Sequence, residues 1–201
     1  MKKFSIKLAL LFFTLSIFNF SLLTFPAYAQ GPDIGYSRLH PASPFYFLKA
    51  IREKLEIRFA GTPRTRMLWE LEFAERRLRE ARTLLFVSQD LIQSTLERYV
   101  AELNRLPDKH QEKDELGLKI KGALKVHLTV LEQMYPEAKD AKAKMAIRSA
   151  MNRVIQRADV QSAVKLPVCS LFSKEASSSA LNEVERMVLA ERAKVCLQGA
   201  I

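Results

Sequence analysis

Apolar residues recur along much of this chain at alternating steps of three and four, the spacing that keeps side chains on one face of an α-helix. Between Pro63 and Phe86 the repeat runs Met67, Leu71, Ala74, Leu78, Ala81 and Leu85, a seam that is stable only when laid along other helices. Two dozen helical residues rise roughly 36 Å, enough to form the spine of a small domain. Ile92, Leu96, Tyr99 and Leu103 carry the seam onward past Ser88-Gln89-Asp90, where a kink or short break is expected. Leu116, Ile120, Ala123, His127, Val130 and Met134 make a further seam, and Ala141, Met145, Ile147, Met151, Val154 and Ala158 another.

Two shorter patterns flank these. Phe47, Leu48, Ile51 and Leu55 share one face of a first helix whose other face carries Lys49, Arg52, Glu53, Lys54 and Glu56. The expected arrangement packs its apolar face on the spine, because a link of about three residues leaves little freedom to leave the domain. The alternative is a helix lying on a membrane surface, with Phe45 and Phe59 adding to the apolar side. Near the C-terminus, Leu181, Val184, Val188 and Val195 line one face of a last helix. No segment alternates apolar and polar residues as a half-buried strand does. The fold class is therefore all α, a bundle of helical hairpins with five or six helices.

Start and stop signals divide the chain. Ser43 followed by Pro44, and Thr62 followed by Pro63, read as N-cap and first helical residue. Leu106 to Asp114 is a charged connection around Pro107. Pro136 is expected to open the next helix and Pro167 to end it. Ser177, Ser178 and Ser179 offer a cap to the last helix, and Gly199 a stop. The expected organisation is a leader over residues 30–42, a helical domain over 43–166 and a C-terminal helical extension over 167–201.

The first 29 residues change the picture of where the chain works. Lys2, Lys3 and Lys7 precede the apolar run Leu8 to Phe25, and Pro26-Ala27-Tyr28-Ala29 supplies the small-x-small pattern of a signal-peptide cleavage site. The expectation is export to the periplasm, envelope or exterior after cleavage near Ala29; an uncleaved anchor is the alternative, since the run is about long enough to span. Cleavage removes three lysines and takes the formal net charge from +10 to +7. A basic exported domain suits anionic envelope polymers as well as protein partners, without specifying nucleic acid. Cys169 and Cys196 then sit where disulfides persist, and one intramolecular bridge is the simplest reading, with paired chains or free thiols as alternatives. The bridge requires the link Ser170–Ser177 to run back, extended, along the last helix.

Candidate chemistry is sparse. His127 sits on an inward helix face and reads as a hydrogen-bonded core histidine ahead of a general base. His110 with Asp108 and Asp114 lacks regular ligand spacing for a metal. Arg76 and Arg79 have Glu72 and Glu75 four residues before them, the favourable orientation for helix ion pairs. Arg64, Arg66, Arg77 and Arg82 have fewer obvious intrahelical acids and are the candidate anion-binding residues. There is no catalytic constellation, no metal set and no cofactor motif to assign.

Two regions resemble the domain of unknown function 5667 family, whose members are mostly exported bacterial helical proteins. One is Pro44-Phe45-Tyr46-Phe47-Leu48-Lys49 with Arg52-Glu53-Lys54, followed by the helix Leu71 to Ala81, where Arg76-Arg77-Leu78 stands at the family's arginine and leucine. The other is His127 to Glu132 with Pro136, Ala138, Ala146-Ile147 and Ala150. The resemblance covers roughly Pro41 to Arg157, leaves the cysteine-bearing tail outside, and implies an exported helical domain with no established activity. Leu128-Thr129-Val130-Leu131-Glu132-Gln133 is also similar to the Leu-Thr-x-x-Gln motif of exported helical chaperones, with one residue too many. The expected function is a non-enzymatic structural or interaction role in the cell envelope or exterior, its partner unassigned and self-association open. A chaperone-like or polyanion-binding protein is the alternative.

Overall fold

Four helices share the central core. The computed structural model describes residues 34–107, 114–157, 160–178 and 181–198; the signal peptide expected over 1–29, His110 and Ala158 lie outside them. The described helices are α1 (Tyr46–Arg58), α2 (Pro63–Val87), α3 (Ile92–Arg105), α4 (Glu115–Glu137), α5 (Ala141–Ile155), α6 (Ser162–Ala176) and α7 (Glu183–Gln198), with a 3-10 turn at Gln89–Leu91. The all-α class is as expected. The helix count is seven among the described residues because the stretch between Pro136 and Pro167 contributes to more than one helix. Pro32–Ile201 forms a compact unit with its own core.

The core helices follow the cyclic order α2, α3, α5, α4. The spine's seam is buried from Leu71 to Leu85, as are Ile92, Leu96, Tyr99 and Leu103 of α3 and Ile120, Leu124, Leu128 and Leu131 of α4. Thr62 caps α2 by accepting from the Thr65 amide at 3.1 Å. The expected break after α2 falls at Ser88. Gln89 then uses its side-chain carbonyl to accept from the amides of Lys139 and Asp140, at 2.9 and 3.1 Å, tying this break to the α4–α5 turn.

Several boundaries differ from expectation, each for a packing or capping reason. Helix α1 begins at Tyr46, with Phe45 as its N-cap residue and no side-chain cap; the Ser43 and Tyr46 amides first close turns onto His40 and Ser43. Pro136 does not open a helix but lies in the last turn of α4, because Met134 and Tyr135 just before it are buried. Asp140 caps α5 instead, accepting from the Ala143 amide at 2.8 Å. Pro167 lies inside α6. An interior proline costs about 3 kcal/mol, which burial of Val168 and Phe172 offsets at about 1.5–3 kcal/mol each.

The ends of the chain are held by specific contacts. In the leader, Gly35 takes a φ of 71°, a conformation glycine adopts without steric cost. The Ser37 amide then donates to Thr83 Oγ1 at 2.9 Å, and Tyr36 meets the Phe86 ring edge-on. Tyr36 and Ser37 are thus docked on α2. At the other end, Cys169 and Cys196 form an intramolecular disulfide, and the return path is helix α6 instead of the expected extended link. The bridge places Cys196 against α6, so the stripe Leu189, Ala193 and Cys196 turns inward. Of the expected stripe, Val184, Val188 and Val195 face out, while Leu181 packs against the core.

Candidate interaction face

Helix α1 is turned over relative to the sequence expectation. Lys49 and Glu53 are its buried residues, while Phe45, Phe47, Leu48, Ile51, Leu55 and Phe59 are 47 to 78% exposed. The reason lies on the spine. The apolar seam of α2 is occupied by the core helices, and the side it offers to α1 carries Arg76, Arg77 and Glu80. The matching stripe on α1 is Tyr46, Lys49, Glu53 and Glu56, at steps of three, four and three. That polar repeat was the signal available in the sequence, and it is obscured by the conspicuous apolar stripe beside it.

The contact is a connected ion-pair network. Glu80, fully buried, accepts from Lys49, from Arg77 Nη1 at 2.7 Å and from the Tyr46 hydroxyl at 2.9 Å. Arg77 also pairs with Glu53, and Arg76 donates to Glu56 at 2.7 Å and to Glu72 at 3.1 Å. Arg98 of α3 reaches the Tyr46 hydroxyl at 3.1 Å. Lys49, Arg77, Glu53 and Glu80 balance in charge, the condition under which burying them is tolerable. Burial pulls the Lys49 ammonium below its usual range, opposed by Glu80 and Glu53. Burial also acts to lower Arg77, but Glu80 and Glu53 outweigh it and leave the guanidinium above its ordinary value. Burial together with Glu80 pushes the Tyr46 hydroxyl well up.

With its acids turned inward, α1 shows a simple outer surface. Its exposed charges are Arg52, Lys54 and Arg58, all cationic, whereas Glu53 is engaged with Arg76 and Arg77, and Glu56 with Arg76 and, at 3.2 Å, with Arg52. The six exposed apolar side chains present on the order of 600 Å², at or above the largest apolar patch of a typical monomer.

The four candidate anion-binding arginines do not form one ridge. Arg77 is buried in the α1 contact, contrary to its expected place in a residual basic patch. Arg64 pairs with Glu115 at 2.7 Å, Arg66 approaches Glu70 at 3.8 Å, and Arg82 lies over the Tyr36 ring. Glu115 for Arg64 and Glu53 for Arg77 come from other helices and are invisible to an i,i+4 reading, whereas Glu70 is an i,i+4 neighbour of Arg66 on α2 itself and Tyr36 belongs to the leader. The expected pairs Glu72–Arg76 and Glu75–Arg79 are present at 3.1 and 2.7 Å. His127 is fully buried, with Nδ1 3.3 Å from the Tyr99 hydroxyl. Burial, reinforced by Arg79, lowers its pKa from 6.5 to about 3, so the ring is neutral near pH 7. Asp114 caps α4 and lies 3.8 Å from Arg64; among the described residues no cluster of histidine, cysteine or acid is arranged for a metal.

Sequence reasoning also missed two features that depend on long-range packing. Arg157 is fully buried and donates to the carbonyls of Leu103, Leu106 and Pro107, closing the C-terminal end of α3. A groove of about 490 Å³ runs between α3, α5 and α7, with Met145, Val184 and Val188 on its walls. Met145, expected on the inner face of its helix, is exposed there.

A family model described as a domain of unknown function (DUF5667) matches residues 38–161. The chain belongs to this family. No curated protein and no solved structure matches the chain. The DUF5667 region contains α1 to α5, including the ion-pair network and the outward apolar face, and ends at Gln161, immediately before α6. The disulfide-bonded hairpin α6–α7 is therefore an addition beyond the DUF5667 match; Val168, Phe172 and Leu189 bury it against the same core, and Tyr135 donates to Glu175 at 2.6 Å. Among the described residues, no helix is long and apolar enough to cross a membrane.

Proposed function

We propose that this DUF5667 protein is an exported, non-enzymatic interaction protein of the cell envelope or exterior, and that the outer face of α1 is its working surface. The observation that carries this reading is the inversion of α1. A helix tied to its domain by charged residues, with its large apolar residues facing out, is arranged to bury those residues against something else. The bridge between Cys169 and Cys196 supports a non-cytoplasmic address, since such bonds persist in oxidising compartments. Export itself rests on the signal-peptide pattern of residues 1–29.

Site-specific photocrosslinking in the native envelope tests the reading. A photoreactive residue at Ile51 is expected to capture an envelope component that one at exposed Met187 of α7 does not. Equal or absent capture at the two positions would remove α1 as the working surface. A chaperone-like role is favoured by the same apolar and cationic exposure. It requires the protein to suppress aggregation of an unfolded client at low salt, and unchanged aggregation across a client panel excludes it.

A further inference from the structure

The geometry points to an anionic lipid surface as the occupant of the outer face of α1, with the helix lying in the plane of the headgroups. This rests on the reading that the α1 face is the working surface, and it names the partner.

The chemistry of the face selects the partner. Phe47, Ile51 and Leu55 recur at steps of four, with Leu48 beside them and Phe45 and Phe59 at the two ends. An interfacial helix needs such a continuous apolar stripe, flanked by cations that stay at headgroup level. Arg52, Lys54 and Arg58 are those cations. Each is exposed, and the two glutamates of the helix are both paired, Glu53 with Arg77 of α2 and Glu56 with Arg76 of α2 and, at 3.2 Å, with Arg52, so acidic lipid meets no unpaired carboxylate on α1.

A second copy of the chain fits less well. Two such faces laid together would bring Arg52, Lys54 and Arg58 of one copy against the same cations of the other, and like charges in contact disfavour association. A folded protein partner would need an acid-rimmed groove to receive a projecting helix ridge. A bilayer requires no such complementary shape.

The inner network makes lipid docking compatible with the fold. Lys49, Glu53, Tyr46 and Glu56 keep their partners on α2 while the opposite face enters the headgroup region. No buried polar group has to lose its hydrogen bond, and α1 does not have to leave the domain. Binding is then expected without the unfolding that a core-packed apolar helix would require.

Vesicle co-flotation of the compact unit Pro32–Ile201 tests the proposal without the apolar run at residues 8–25. The probes are vesicles of phosphatidylcholine alone and of phosphatidylcholine with about one-third phosphatidylglycerol. The wild-type unit is expected on the anionic vesicles, with partitioning reduced about thirtyfold in K54Q/R58Q, in line with the usual contribution of two juxtamembrane basic residues. F47Q/I51Q, altered only on the exposed face, is expected to lose partitioning by more than tenfold while keeping the wild-type melting temperature. Anionic-vesicle binding should also weaken from 0.1 to 0.5 M salt. Binding that is equal on both vesicle types and insensitive to salt, or binding retained by F47Q/I51Q, would overturn the proposal. So would no vesicle binding with a concentration-dependent dimer that F47Q/I51Q abolishes; that result identifies a second copy and leaves the α1 face as the working surface. Absence of vesicle binding together with failure of the Ile51 crosslink would remove both readings.

Discussion

Removing the charge of Glu80 without removing its counterparts should release α1 from the domain while leaving the four-helix core folded. In E80Q the buried cluster retains Lys49 and Arg77 opposite Glu53 alone, an excess positive charge in a site closed to solvent. Breaking one partner of a buried ion pair typically costs 3–5 kcal/mol. Taking the lower figure, because Arg98 and Arg76 sit near the rim and water can reach part of the site once α1 shifts, the opening equilibrium of α1 rises by a factor of about 150. Helix α1 touches few elements besides α2, so the cost is expected as local opening. Hydrogen exchange read by mass spectrometry should show amides of residues 47–58 exchanging about a hundredfold faster, with those of α4 between Ile120 and Leu131 unchanged. Adding K49M restores one cation to one anion, and the double variant should return to within about 1 kcal/mol of wild type. Unchanged α1 exchange in E80Q would show that the network does not hold the helix. A K49M/E80Q variant as open as the summed singles would show that charge balance is not the reason.

Four further outcomes follow from other parts of the fold. His127 has a folded pKa near 3 against 6.5 unfolded, so the unfolded chain binds the extra proton between those values and stability falls as pH drops below about 6.5, by about 1.4 kcal/mol per pH unit from this group. Urea titrations between pH 4 and 7 should show that slope shallower in H127Q; identical pH dependence in the two proteins contradicts a neutral buried ring. Replacing both Cys169 and Cys196 with alanine reopens a loop with sequence separation 27, worth about 3–4 kcal/mol in chain entropy, and should make α7 protease-sensitive while α2 stays protected. R157M removes the donors to three carbonyls at the end of α3 and should lower stability by about 2–4 kcal/mol in urea unfolding; a loss below about 0.5 kcal/mol would mean solvent satisfies those carbonyls equally well. T62A should cost about 1 kcal/mol through the lost N-cap of α2, measurable as a shift in the urea midpoint followed by the fluorescence of Trp69, the sole tryptophan.

The sequence by itself determined the class of the fold, the seams of α2, α3 and α4, the break at Ser88 and the pairing partners Glu72 and Glu75. Each of these is a local property: helical periodicity and i,i+4 reach are set by the backbone of one segment. It also contained the residues of the α1 contact, since Tyr46, Lys49, Glu53 and Glu56 form as regular a stripe as Phe47, Ile51 and Leu55. Choosing between the two stripes was beyond it. Only the tertiary structure decided that, because the choice depends on which side of α2 remains after α3 and α4 have taken its apolar seam, and that side bears Arg76, Arg77 and Glu80. The same dependence governs α7, where the bond from Cys196 to Cys169 sets the rotation that buries Leu189 and Ala193 and exposes Val184 and Val188. Prolines 136 and 167 follow the same logic, their local preference yielding to the burial of Tyr135, Val168 and Phe172 beside them. An amphipathic helix states that two faces differ; its neighbours determine which one is inside.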